Sequence, residues 1–397
     1  MRPHVLSAFT ATSCIGRGLE PTLTALHAGR TGLKPCDFKT AQLATYIGEA
    51  PGVDDVRLPP GLEAFECRNN RLAWLGLNQD GFAAAVAAAA QRHGPHRIGV
   101  FLGTSTSGIL ETEIAYRQRD PATGALPKSF RYAGAHNTFS VAAFVHRALG
   151  LTGPAVVISS ACSSSGKVFA SAQRAIEAGV IDAALVGGVD SLCLTTLYGF
   201  HSLQLVSQGP CRPFDAARDG ISIGEAAAFA LLERAGDRPT SDAVLLLGAG
   251  ESSDAYHMSS PHPQGRGARE AMLGALQAAR LEPQDIGYIN FHGTGTPSND
   301  EAEARAVASV LGSATPGSST KGATGHTLGA AGALEAVICA LALREGLMPA
   351  GVNTGTPDAA LPVNYLLENR AAPLRYVMSN SFGFGGSNCS LIFGRSG

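Results

Sequence analysis

With 397 residues, 45% of them hydrophobic and only 16% charged, the chain can bury a large core, which excludes a disordered protein and fits one large domain or two to three ordinary ones. A formal charge of −2 gives no bulk attraction to nucleic acid or to an anionic membrane. No stretch reaches the ~18–20 uninterrupted apolar residues of a membrane-spanning helix. The start, Met1 to Leu6, enters a strand-like run without the apolar centre of a signal peptide, so the cytoplasm is the expected location.

The eight cysteines are scattered, and no two form a Cys-x-x-Cys pair. That pattern speaks against a disulfide framework and against a zinc knuckle. The 48 glycines cluster at particular places, which marks tight turns and close backbone approaches.

Taken in chain order, strand-like and helix-like runs alternate, the mark of an α/β fold with buried sheets. A strand is predicted over Val5–Phe9, then a helix over Asn78–Arg92 and a strand over Ile98–Leu102. Next come a strand over Ala155–Ser159, a helix over Gly166–Ala178, and strands over Ala183–Gly187 and Ala226–Leu232. After the polar, Pro/Gly-marked Arg234–Asp242 the plan starts again. It runs through strand Ala243–Leu247, helix Gly267–Arg280, strand Gly287–Phe291 and helices Asp300–Leu311 and Leu328–Glu345. It closes with strands Tyr376–Ser379 and Cys389–Phe393. The recurring order implies an internal duplication with its seam at Arg234–Asp242, hence halves 1–238 and 239–397.

Four segments carry chemistry. In Val156-Val157-Ile158-Ser159-Ser160-Ala161-Cys162-Ser163-Ser164-Ser165-Gly166 a β-branched strand runs through small residues into a helix. Cys162 stands near that helix's N-terminus, where free N–H groups and partial positive charge favour the thiolate, the nucleophilic form. A buried structural cysteine in a Ser-rich turn is the bland alternative. In Ile289-Asn290-Phe291-His292-Gly293-Thr294-Gly295-Thr296 a histidine ends a buried strand, the place where α/β sites gather. In Lys321-Gly322-Ala323-Thr324-Gly325-His326 a lysine and a second histidine precede a small-residue helix that carries Glu335. A carboxylate in that setting needs a partner, and Lys321 is the candidate. In Ser379-Asn380-Ser381-Phe382-Gly383-Phe384-Gly385-Gly386 glycines free the backbone to approach a ligand and to offer N–H groups to an oxyanion. One cysteine and two histidines at strand-to-turn junctions suit acyl-thioester chemistry.

Together these segments resemble the elongating β-ketoacyl-acyl carrier protein synthases. Arg212-Pro213-Phe214-Asp215, Arg218-Asp219-Gly220, Gly224-Glu225 and Ser253-Asp254-Ala255-Tyr256-His257-Met258 extend the resemblance over the whole chain. It implies a thiolase-type α/β fold: two duplicated βαβαβαββ halves in a five-layered αβαβα sandwich, usually a homodimer. It implies that Cys162 takes an acyl chain from a carrier protein, and that a malonyl-carrier protein loses carbon dioxide and attacks it. By the same resemblance the backbone N–H groups of Cys162 and Phe384 form an oxyanion hole, and His292 and His326 serve the decarboxylation. Lys321 and Glu335 form a supporting ion pair. Thr294 and Thr296 hold pantetheine, Phe384 is a mobile gate, and Phe200, Phe382, Gly383 and Thr106 line the substrate site, with Thr106 at the pocket floor. No organic cofactor and no metal is implied, because phosphopantetheine arrives on the carrier protein. Arg68, Arg71, Lys128 and Arg131 occupy stretches comparable to the family's carrier-docking surface.

Rival readings weaken on particular residues. A degradative thiolase needs a second cysteine in a C-terminal Cys-x-Gly-x-Gly loop; here that loop reads Phe382-Gly383-Phe384-Gly385-Gly386, and Cys389 falls in the following strand. Initiating and chalcone-type enzymes place asparagine where His326 stands. Chain-length partner subunits lack the cysteine that Cys162 provides. A scaffolding subunit of a heterodimer that kept its motifs is the alternative from a different class.

Overall fold

The fold follows a computed structural model that describes residues 3–236 and 242–396. The halves' boundary at 238/239 and most of the seam lie outside the described residues.

Ten principal strands carry the architecture: β1 (His4–Ser13), β2 (Ile98–Gly103), β3 (Ala155–Ile158), β4 (Ala183–Asp190), β5 (Ala226–Arg234), β6 (Val244–Ser253), β7 (Tyr288–Asn290), β8 (Pro316–Ser318), β9 (Tyr376–Gly383) and β10 (Ser387–Arg395). Among the described residues, eleven α-helices join and cover them: α1 (Leu19–His27), α2 (Arg68–Leu77), α3 (Phe82–His93), α4 (Ile109–Arg117), α5 (Ser140–Ala148), α6 (Ser164–Glu177), α7 (Leu194–Ser202), α8 (Arg266–Ala279), α9 (Pro297–Leu311), α10 (Lys321–Thr324) and α11 (Ala331–Glu345).

The strand order in the first half is β3-β2-β4-β5-β1, and in the second it is β8-β7-β9-β10-β6. Directions match as well. The first three strands of each half run parallel and the last two pair antiparallel. A short antiparallel pairing of β1 with β6, His4 opposite Leu246 and Val5 opposite Leu245, joins the halves. This is the duplicated βαβαβαββ plan of the thiolase-type fold.

Two helices, α6 and α11, lie between the sheets, and each touches strands of both halves. Every residue of α11 from Ala331 to Leu343 is buried. A helix apolar on all faces belongs at the centre of a large protein, and the Ala/Leu/Ile/Val composition of this one makes it so. Phe169, Ile176, Leu334, Val337 and Ile338 join strand residues such as Leu6, Leu232 and Phe393 in the central core. Helices α2, α3 and α5 cover the outer face of the first half, and α8 and α9 that of the second. The result is five layers.

Several elements differ from the sequence reading. Strand β8 was not expected from its short, Pro/Gly-containing run; it exists because Gly317 and Ser318 pair with Ile289 and Asn290. Helices α1, α2, α4, α5, α7 and α10 were also not expected. The helix predicted from Asn78 begins at Phe82, since Asp80 and Gly81 hold positive φ angles of 52° and 69° and break the path from α2.

The central helices cross very closely. A Cβ on Gly332 would come within 2.6 Å of the Gly166 nitrogen. Gly332→Ala therefore forces α6 and α11 apart and is expected to cost ~1–3 kcal/mol. Gly199→Ala, in the exposed face of α7 with open space around it, is expected to be neutral or stabilising by up to ~1 kcal/mol. Urea unfolding of both variants checks the contrast.

Candidate active site

The chemistry-bearing segments follow the carboxyl ends of corresponding strands. Cys162 follows β3, His292 follows β7, Lys321 and His326 follow β8, and Phe384 sits in the hairpin between β9 and β10. The halves' shared plan thus brings one cysteine from the first half to two histidines of the second.

At Cys162 the turn is held by its own serines. Ser163 Oγ donates to the Ser160 carbonyl at 2.9 Å, and Ser160 N–H donates to Ser164 Oγ at 2.9 Å. Ala161 takes φ 52°, a conformation costly for a residue with a Cβ. The strained turn places Cys162 just before α6, with its sulfur 3.1 Å from His326 Nε2. The backbone N–H groups of Phe384 and of Cys162 itself also favour the ionised sulfur.

The histidines are fixed through backbone and ring. His292 and Gly293 donate their N–H groups to Glu303 at 2.8 and 2.7 Å. His326 N–H donates to the Ser222 carbonyl at 2.7 Å, and its carbonyl accepts from Gly224 N–H at 2.9 Å. Lys321 Nζ lies 3.4 Å from His292 Nδ1 and forms an ion pair with Glu335. Leu328 N–H donates to His326 Nδ1 at 3.3 Å. An ammonium and a backbone N–H can only donate, so both Nδ1 atoms accept and each neutral ring carries its proton on Nε2.

Burial, then the Lys321 charge, holds both imidazoles well below the usual histidine range, so both are neutral at pH 7. Burial pushes the Cys162 thiol up to about 11, while Lys321 and the Phe384 N–H pull it down. The helix start was expected to favour the thiolate; in the resting site burial outweighs the charges that favour it. Burial also raises Glu335 to about 7 against the pull of Lys321.

The sulfur and one ring nitrogen of each histidine lie within 4.8 Å of one another. The donor set does not suit a metal. Coordination through Nε2 would need protonated Nδ1 atoms, and these face groups that can only donate.

A cleft leads to Cys162, His292 and His326 between Phe200, Thr294, Thr296, Phe382, Gly383 and Phe384. Thr294 and Thr296 hydroxyls lie 2.9 Å apart at its wall. The Phe384 ring leans on Phe200, with centroids 5.6 Å apart. Thr106 does not line this cleft, contrary to the expectation of a pocket floor; its hydroxyl donates to Asp190 at 2.9 Å.

Two docking residues are corrected. Arg68 is 1% exposed and sealed by Glu225 at 2.6 Å, Asp54 at 2.8 Å and Glu49 at 3.1 Å, so it presents no charge to a partner. Arg71 is 18% exposed and paired with Glu66 at 3.2 Å. Lys128 and Arg131 are exposed. Arg131 borders a pocket that also holds Glu63, Glu66 and Glu111.

Three supporting residues escaped the sequence reading: Asp190, Glu303 and Ser222. A signal existed for two of them. Asp190 ends the wholly buried run Ala183–Val189, and Glu303 lies three residues from Asp300 on the buried face of α9.

Alkylation of Cys162 by iodoacetamide is expected to quicken as pH rises toward about 11. Lys321→Ala removes a charge that favours the thiolate, so it should slow alkylation at pH 8. Peptide mass spectrometry over a pH series reads both effects.

Two family descriptions match the chain: the beta-ketoacyl synthase N-terminal domain over residues 70–238 and the C-terminal domain over 243–355. The 3-oxoacyl-[acyl-carrier-protein] synthase 2 of Vibrio cholerae is 31% identical, with 99% of each chain covered. A ketosynthase (ApeO) solved in complex with its chain length factor (ApeC) from Xenorhabdus doucetiae is 38% identical. It superposes with a TM-score of 0.89 over 99% of this chain and 98% of that one. The ishigamide ketosynthase/chain length factor gives 0.88 at 28% identity, covering all of both chains. With its duplicated fold and its Cys-His-His cluster, the chain belongs to the beta-ketoacyl synthase family.

Proposed function

We propose that Cys162 is the nucleophile of a decarboxylative condensation between an acyl thioester and a malonyl thioester, both delivered on an acyl carrier protein. The carrying observation is the Cys162 sulfur 3.1 Å from His326 Nε2, within 4.8 Å of a His292 ring nitrogen, at the end of an apolar cleft.

The first step is a thioester exchange. The sulfur of Cys162 bonds to the acyl carbon, the carrier's thiol leaves, and the proton of Cys162 ends on that thiol. The N–H groups of Cys162 and Phe384 receive the developing oxyanion. In the second step the malonyl carboxylate leaves as carbon dioxide. The electron pair of the broken C–C bond becomes an enolate, whose oxygen accepts hydrogen bonds from Nε2–H of His292 and His326. The enolate carbon then attacks the acyl-enzyme carbonyl, expels the Cys162 sulfur and leaves a 3-oxoacyl chain. Neutral imidazoles suit this step, since a donor is wanted where negative charge appears. Thr294 and Thr296 offer hydroxyls to the pantetheine arm, and Phe384 gates the sulfur against Phe200. This chemistry asks for no cofactor beyond the carrier's own arm, and its expected place is the cytoplasm. Among the described residues no helix is long and apolar enough to cross a membrane.

We also propose a dimer, as a homodimer or with a related chain-length subunit. Strand β3 ends the sheet, and all four of its residues are only half-buried in the single chain. Ile114, Tyr116, Tyr132 and Phe139 are exposed on α4 and the segment before α5, which packs beside β3. Two neighbours were solved with a chain length factor, which favours the heterodimer as a second reading.

Intact mass after incubation with a series of acyl-carrier proteins tests the function. An adduct is expected on the wild type, none on Cys162→Ala, and release of an elongated product when malonyl-carrier protein is added. His292→Ala should still acylate but lose about 10²–10³-fold in condensation. No adduct from any donor, alone or with a chain-length subunit, would move the chain to a scaffolding role.

A further inference from the structure

One buried carboxylate near the site is used by none of the steps above. Asp190, at the end of β4, is fully buried and accepts six hydrogen bonds. Thr104 Oγ1 donates at 2.7 Å, Ser105 N–H at 2.7 Å, Ser105 Oγ at 2.5 Å, Thr106 N–H at 2.9 Å and Thr106 Oγ1 at 2.9 Å. The sixth comes from across the molecule: Gly329 N–H, in the other half, donates at 2.6 Å. All six donors are neutral. A buried charge can be held by dipoles alone when enough of them converge.

The two tethered segments are both strained. Ser107, just beyond the first, has φ 44°, and Leu328, just before Gly329, has φ 52°. Each is a left-handed conformation at a residue with a side chain, costing ~1–3 kcal/mol that surrounding bonds must offset. Leu328 is also the residue whose N–H donates to His326 Nδ1. Gly329 is suited to the approach, for a Cβ there would meet both the Asp190 carboxylate and the Ser105 nitrogen at 2.8 Å.

We propose that Asp190 is a positioning residue for His326. By fixing Gly329 it holds the strained Leu328 turn, and that turn keeps His326 in the Nε2–H form facing the Cys162 sulfur. The carboxylate thereby ties the ring of one half to the strand end of the other. Only the kinetic part of the test below rests on the condensing reading.

Asp190→Asn keeps the volume but replaces one acceptor with an NH₂ that faces donors. Histidine-labelled protein, with His326 assigned by its loss in His326→Gln, reports the ring directly through its two ¹⁵N resonances. Wild type is expected to show Nε2–H with a bare Nδ1. Asp190→Asn should show a mixture with Nδ1–H and a turnover at least tenfold lower, with KM for the acyl-carrier protein within twofold of wild type. Asp190→Glu, which restores the acceptors, should recover the wild-type tautomer and most of the turnover. Should Asp190→Asn not fold, Ser105→Ala, which removes one donor, should shift the same resonances by a smaller amount. Unchanged His326 resonances in every folded variant would overturn the proposal, whatever the turnover. Absence of any acyl adduct in the wild type would instead sink the condensing reading and leave the tautomer result standing.

Discussion

The site exists because two helices meet without side chains between them. Cys162 stands just before α6 and His326 a few residues before α11, so the distance between the sulfur and the imidazole is set by how closely those helices cross. Gly166 and Gly332 permit backbone contact there, and Ala333 N–H donates to Ser165 Oγ at 2.9 Å across the crossing. Gly188 keeps the next layer equally tight: a Cβ on it would strike Ser165 at 2.5 Å. A methyl group at such a crossing moves whole helices, since packed interiors do not yield locally. The many small residues of these segments are the means by which a cysteine of one half reaches histidines of the other.

The same burial that brings the groups together sets their protonation. Removed from water, a thiol is pushed toward its neutral form and an imidazole is pushed the same way. The lysine strengthens this for the histidines and opposes it for the cysteine, so one cation acts in opposite senses on the groups around it. Its partner Glu335 keeps that cation from being an unpaired charge in the core. The outcome is a site with almost no unpaired charge, with the N–H groups of Phe384 and Cys162 turned toward the sulfur. Preorganised donors in a dry site stabilise a transition state without having to reorient.

The sequence disclosed the local features and missed the long-range ones, and the physics explains the division. Cys162, His292 and His326 each follow a strand and begin a turn, a pattern readable within a dozen residues. The repeated order of strands was equally readable, because buried strands announce themselves by β-branched and small apolar runs. Strand β8 was hidden by Pro316 and Gly317, which signal a turn unless a partner strand is known. Arg68 was expected at a docking surface because its stretch resembles the family's carrier-docking surface. Its burial depends on Glu225, which lies 157 residues away. The surroundings of Thr106 are likewise set at long range, by Asp190, 84 residues on. A side chain's surroundings are a property of the fold, and a single sequence carries that information only where a family pattern is recognisable.

The buried acids show how such a polar interior is tolerated. Asp190, Asp300, Glu303 and Glu335 are all fully enclosed; of these Glu335 has a lysine at hydrogen-bonding distance, while Arg218 stands 3.9 Å from Asp300. The others lean on backbone N–H groups: Gly329, Ser105 and Thr106 at Asp190, His292 and Gly293 at Glu303, Phe214 at Asp300. Each carboxylate satisfies amides of loops that have no ladder of their own to join, so the cost of burying the charge is offset by donors that would otherwise go unpaired. Two of those loops carry His292 and His326. Side-chain acids in the core thus do for the irregular backbone of this site what hydrogen-bonded strands do for the rest of the molecule, and they do it where a strand could not pass, in the space left open for a substrate.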